Sequence, residues 1–225
     1  ELDERDLPRR WPEAPLSSPA GLAPFLPVRG PESFFSFAAG GAPLLPVPRL
    51  REQLGMPNLF LKDDTRNPSG STKDRASALV VAKAIEYGYE TVAAASTGNA
   101  ATALAAAGAA SGMKTVVFVP VSAPPAKLVQ MSSYGARLVP VAGTYDQAFE
   151  LSLEACARFG WYNRNTALNP FTVEGKKTAS LEIARDLAQR FNHLHGGDYF
   201  TLPEAAIDEQ TAVLPGLDGR KMSKS

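Results

Sequence analysis

Between residues 91 and 165 the chain repeats one pattern, a short apolar run followed by a longer helical run that closes on glycine. The strands read as Thr91–Ala95, Lys114–Pro120, Leu138–Val141 and Trp161–Asn165. The helices between them read as Ala100–Ser111, Pro125–Tyr134 and Thr144–Phe159, followed by Gly112, Gly135 and Gly160. Glycine after a helix supplies the left-handed residue that ends it. A β-α-β-α-β-α-β order argues for a parallel sheet with helices on both faces, an α/β fold. Ligands of such sheets sit at the carboxyl ends of the strands, beside helix N-termini.

The flanks read differently. Ten of the nineteen prolines fall within residues 1–48, which therefore read as an extended arm over a surface, with Phe34, Phe35 and Phe37 packing it down. Residues 49–84 begin a larger domain, with a helical turn at Arg49–Leu54, a strand at Asn58–Lys62 and a helix from Lys73 to Tyr87 stopped by Gly88. Residues 85–168 form a small, complete α/β domain. Residues 169–181 return to the larger domain, with a loop at Asn169–Gly175 and a helix from about Lys177 to Phe191. Residues 192–225 lose the β-α repeat.

Lysine plus arginine balances aspartate plus glutamate at 23 each, so nothing draws the chain towards DNA or an anionic membrane. No run is long and apolar enough to span a bilayer. The single cysteine, Cys156, forms no intrachain disulfide, which suits the cytoplasm. His193 and His195 have no cysteine or third ligand near them, so no metal site is expected. The first residue is not Met, which reads as a fragment or a trimmed product.

Two stretches carry chemistry. In Asn67-Pro-Ser-Gly-Ser-Thr-Lys-Asp-Arg75, Pro68 and Gly70 mark a turn, and Ser71 or Thr72 caps the next helix. Lys73 thus stands where a turn enters a buried helix. The helix dipole and burial both disfavour a cation there and push the lysine towards the neutral amine that imine chemistry needs. The plainer alternative is a solvated charge cluster Lys73-Asp74-Arg75 in the first helical turn. The second stretch, Ser96-Thr97-Gly98-Asn99, joins a strand to a helix. It is either a capping turn or an anion cradle of N–H groups and hydroxyls, in which Gly98 lets the backbone come close.

Together these stretches resemble the fold-type II pyridoxal-phosphate enzymes, and more narrowly the threonine synthases. Pro43-Leu-Leu-Pro46, Leu61-Lys-Asp-Asp64 and Asn169-Pro-Phe-Thr-Val-Glu-Gly-Lys-Lys-Thr178 extend the likeness over about residues 10–181. The resemblance implies a tryptophan-synthase-β-like fold and pyridoxal 5'-phosphate as cofactor. Lys73 would be the lysine that joins the cofactor and then moves protons, and Asn99 would hydrogen-bond the cofactor's ring hydroxyl. Ser96, Thr97 and Gly98 would hold the substrate carboxylate. Asn165, Thr166 and the lysines at 176–177 would lie at the substrate phosphate. The implied reaction is O-phosphohomoserine plus water to threonine plus phosphate, with a small amino-acid substrate and a homodimer. Thr172 stands where some relatives have arginine, and Ala42 where threonine is frequent, which leaves a serine or threonine eliminase open.

From residue 182 the wording changes. Glu182-Ile-Ala-Arg-Asp-Leu-Ala-Gln-Arg-Phe-Asn192 through Lys221-Met-Ser-Lys-Ser225 resembles tryptophanyl-tRNA synthetase, its last five residues like the ATP loop of class I synthetases. That resemblance implies phosphate contacts at Lys221 and Lys224, and ATP only for a complete synthetase. The plainer reading is a soluble lysine-serine tail. Residues 182–225 carry five basic and seven acidic residues, which disfavours tRNA as a partner. The whole then reads as a chimera, with the junction between Ser180 and Ala188. Its large domain is truncated, without the glycine-rich loop that holds the cofactor phosphate. Lyase activity is expected to be impaired, a non-catalytic fragment is the remaining alternative, and the helix after Lys73 is expected to expose an apolar face.

Overall fold

The computed structural model describes residues 18–197. β1 (Leu44–Pro46) and β2 (Phe60–Lys62) pair antiparallel and are joined by α1 (Pro48–Leu54). The turn at Pro68–Gly70 then leads into α2 (Lys73–Glu86). After it come β3 (Thr91–Ala95), α3 (Asn99–Ser111), β4 (Lys114–Pro120), α4 (Pro125–Ser133), β5 (Arg137–Val141), α5 (Tyr145–Phe159), β6 (Tyr162–Asn163) and α6 (Phe171–His195).

The four later strands form one parallel sheet in the order β5-β4-β3-β6. The period-two alternation of a strand decides its two faces. Val92 and Ala94 of β3 join a core with Ala78 and Val81 of α2 and Leu104 of α3. Val117 and Val119 of β4 meet Ala101 and Ala105 of α3 and Met131 of α4. On the other face, Ala93, Ala95, Val116 and Phe118 meet Ala148 and Ala155 of α5. The chain steps outward from β3 to β4 to β5, and α5 then returns it to the far side of β3. The strand order therefore reverses between β3 and β6, and the carboxyl ends of that pair form the crevice where such sheets take ligands.

Several expectations are corrected. The described part of the arm is not simply extended: it holds 3-10 turns at Pro19–Phe25 and Pro31–Ser33 before β1. Leu22, Phe25 and Leu26 are buried against Leu79 of α2, so apolar burial folds what the prolines leave irregular. With α3 and α6 packed alongside, α2 is buried from Asp74 to Ala84 and exposes no broad apolar face. Residues 171–175, read as loop, are the first turn and more of α6. Asn169 starts it by accepting at Oδ1 from the N–H of Phe171, 3.1 Å away. Gly175 is a packing residue, because a Cβ there would lie 2.6 Å from the Arg75 carbonyl oxygen. α6 runs unbroken across residues 181–182, and β6 is shorter than Trp161–Asn165. No described helix is long and apolar enough to cross a membrane.

Candidate functional site

The loop before α2 is held from within. Gly70 takes φ 75°, and its N–H donates to the Asn67 carbonyl at 2.8 Å, closing the turn. Buried Asn67 donates to the Ser71 carbonyl and accepts from the N–H of Gly40, which ties the arm to the loop. Ser71 acts as the cap: its Oγ accepts from the N–H of Lys73 at 3.1 Å, whereas Thr72 makes no such bond. Lys73 is half-buried, not sealed in, and its amine makes no hydrogen bond or ion pair with the described residues.

Its neighbours are not a solvated cluster. Asp74 and Arg75 are 0% and 1% exposed. Asp74 accepts from the N–H of Ser69 at 2.8 Å, and burial pushes its carboxyl above the ordinary value despite the Ser69 hydrogen bonds. Arg75 pairs with Asp64 at 2.7–3.1 Å and with Glu182 at 2.7 and 2.9 Å. Lys62 of β2 reaches Glu182 at 3.0 Å and Asp186 at 2.9 Å. Burial alone would raise Glu182 and Asp64; the Arg75 guanidinium outweighs it and holds both below their usual range. Sequence reasoning missed this network. The only local signal was an arginine on a face that otherwise reads as core.

The Ser96–Asn99 turn leaves the end of β3, where the N–H of Ser96 donates to the Phe118 carbonyl. The Ser96 Oγ accepts from the N–H of Gly98, at 3.3 Å. Gly98 has an ordinary φ of −142°, and a Cβ there would meet nothing within 4 Å. Neither strain nor packing demands glycine at this position, which leaves open space beside a bare backbone. Asn99 begins α3 and accepts at Oδ1 from Lys127 Nζ at 2.7 Å. It lines one cleft together with Gly70, Ser71 and Thr72, which brings the two stretches of chemistry to a common space.

The third part comes after β6. Asn165 commits both polar atoms of its amide to the Ala95 backbone, at 2.9 Å each, and so clamps the loop to β3. Thr166 is exposed and lines a second cavity with Ser96. Thr172 is buried and donates to the Asn169 carbonyl. Lys177 pairs with Glu174. Lys176 is pushed below its ordinary value by burial and by the like charges of Lys73 and Arg164, so these three cations are neighbours. Lys221 and Lys224 lie outside the described residues.

A family model described as pyridoxal-phosphate dependent enzyme matches residues 35–197. The chain belongs to that family. This pyridoxal-phosphate enzyme chain is 40% identical to a threonine synthase of Methanosarcina acetivorans over 170 residues, which are 75% of this chain and 40% of the relative. A separate 45-residue stretch is 80% identical to a tryptophan--tRNA ligase of Xylella fastidiosa and covers 20% of this chain and 10% of that one. Two parts of one chain thus resemble two unrelated families, as a chimera does. Among solved structures, a threonine deaminase isoform 2 from Solanum lycopersicum aligns with TM-score 0.59 and 25% identity over 64% of this chain and 42% of that one. The chain spans less than half the length of these relatives.

The residues present fit one side of the family's cofactor. They offer an amine at Lys73 without a partner among the described residues, an amide at Asn99 in the cleft beside residues 70–72, and the N-terminus of α3 at Gly98. Gly98→Ala tests the hold on a substrate carboxylate that the resemblance implies for this turn. It should shift folding stability by no more than about 1 kcal/mol, the scale of a helix-cap change. Capture of an amino-acid substrate by the cofactor-loaded chain, followed by absorbance, should weaken by about tenfold or more, because a Cβ takes the space of that carboxylate.

Proposed function

We propose that the chain carries the lysine-bearing, substrate-facing side of a pyridoxal-phosphate lyase of threonine-synthase type, which turns O-phosphohomoserine and water into threonine and phosphate. The observation that carries this reading is the cleft shared by Asn99 and residues 70–72, with Lys73 the next residue and its amine without a partner among the described residues. The identity to a threonine synthase supports it.

When bound, the cofactor supplies an electron sink for the carbon that loses a proton. The chain's own residues do the remaining work. The Lys73 amine takes and returns protons along the substrate carbons. The N–H groups of the Ser96–Gly98 turn, at the positive end of α3, hold the substrate carboxylate. Asn99 hydrogen-bonds the cofactor's ring hydroxyl. Thr166 and Lys176 face the phosphate end of the substrate, while Asn165 fixes the loop that carries Thr166. With this reading go a homodimer and a cytoplasmic setting.

Incubating the full chain with pyridoxal phosphate, reducing with borohydride and mapping the label by mass spectrometry tests the reading. The expected result is label at Lys73 alone. Label scattered over many lysines overturns it in favour of an inert fusion fragment. A second reading, an eliminase acting on serine or threonine, is favoured by the likeness to the tomato threonine deaminase. Ammonia released from threonine would select the eliminase; phosphate released from O-phosphohomoserine without ammonia selects the first.

A further inference from the structure

Three cations are buried among the described residues: Arg75, Lys83 and Arg164. Arg75 is neutralised by Asp64 and Glu182, and Lys83 by Glu86. Arg164 is 3% exposed, and its Nε and Nη2 have no hydrogen-bond partner among the described residues. A buried charge without a partner is strongly disfavoured, and folds that keep one usually use it.

The surroundings say what for. Arg164 lines a cavity of about 380 Å³ with Ser96, Tyr145, Asn165 and Thr166 among the walls. That cavity lies at the carboxyl ends of β3 and β6, where the strand order reverses. Ala100, in the first turn of α3, and Tyr145 and Asp146, in the first turn of α5, also line it, so two helix N-termini border the same space. Asp146 is exposed and forms no ion pair with Arg164. Lys176 lies close enough for the Arg164 charge to disfavour its own.

We propose that Arg164 is the anchor for the dianionic phosphate of a phosphomonoester substrate, held in the cavity between β3 and β6. The guanidinium fork matches a tetrahedral oxyanion with parallel N–H donors. The exposed Thr166 hydroxyl adds a donor on the same wall. Burial pushes Arg164 down to about 10, so it remains charged at neutral pH. A phosphate here gives the guanidinium the counter-charge that the protein withholds. The assignment deepens the proposed function by naming the residue that selects a phosphorylated over an unphosphorylated substrate, and it rests on that reading for the substrate's identity.

The test uses the full chain without cofactor and inorganic phosphate as probe, by calorimetric titration and by the phosphate-dependent rise in unfolding temperature. The wild-type chain should bind phosphate and should bind acetate far more weakly. Arg164→Leu should weaken phosphate binding by about thirtyfold or more, the effect of truncating one side of a buried charge pair. Arg164→Lys should retain part of the affinity. Without phosphate, Arg164→Leu should unfold at the same temperature or higher, since an unpaired buried charge is gone. A merely structural arginine gives the opposite pattern: a lower unfolding temperature and unchanged phosphate affinity in both variants. That pattern overturns the proposal, as does equal binding of acetate or no phosphate binding by the wild type. If Arg164→Leu fails to fold, Arg164→Lys alone decides, because unchanged affinity there sinks the fork. Borohydride labelling at Lys73 does not depend on Arg164. Lost labelling with intact, Arg164-dependent phosphate binding therefore condemns the proposed lyase and not the anchor.

Discussion

Glu182→Ala should lower the stability of the chain by about 3–5 kcal/mol, the penalty for removing one partner of a buried ion pair. Glu182 is 2% exposed, and its carboxylate answers the Arg75 guanidinium, the Lys62 amine and the N–H of Gly41 at once. Alanine leaves Arg75 with Asp64 as its one carboxylate among the described residues, beside the Thr178 hydroxyl, and Lys62 with Asp186. Glu182→Gln keeps the shape and an acceptor for Gly41, so its loss should be smaller. Urea unfolding with an unchanged slope measures both; a loss below about 1 kcal/mol for alanine would mean that the network contributes no more than surface pairs do. The same carboxylates set an acid limit. Glu182 and Asp64 are held below their ordinary values of 4.5 and 3.8. A depressed folded-state value gives stability that is present above the ordinary value and drains as pH falls through the folded one. The chain should therefore lose stability progressively below about pH 4.5, and Glu182→Ala should flatten that acid limb.

Gly175→Ala should destabilise as well, although helix propensity alone favours alanine by about 1 kcal/mol. The added Cβ would stand 2.6 Å from the Arg75 carbonyl oxygen and 2.8 Å from the Ala76 Cα. Both obstacles are backbone, so α2 and α6 must move apart, at the usual overpacking cost of about 1–3 kcal/mol or more. The substitution reaches the site too. Lys73 rides on α2, and α6 follows directly on the loop of residues 164–170 that walls the cavity, so separating the helices disturbs that wall. Phosphate affinity should fall along with stability. A stabilised Gly175→Ala chain would refute the close contact.

The sheet was legible in the sequence because β3 and β4 are short, apolar and fenced by glycines. Their physics is local, and so are the stops of α2, α3, α4 and α5. The start of α6 was not legible, since Gly175 carries the same letter whether it breaks a helix or lets another backbone approach. The loop around Lys73 was readable as turn, cap and helix. The identity of Asp74 and Arg75 as buried residues was not: Arg75 finds its partner Glu182 more than a hundred residues along the chain, and no local pattern announces such a pair. Arg164 was hidden for a related reason. In the sequence it is one more charged residue at the end of a strand, and only its missing counter-ion gives it meaning.

α6 is buried along one line: Thr172, Gly175, Thr178, Glu182 and Ala188. Beyond Ala188 no side chain of that helix is buried. Its amino-terminal part serves the site and the ion network, while its last two turns stay at the surface. The junction expected between Ser180 and Ala188 falls before those turns, on the stretch where Glu182 answers Arg75 and Lys62. A segment of another lineage joined there can vary freely in its last turns but must bring a carboxylate to that one buried position, and this sets the condition under which two lineages can share one continuous helix.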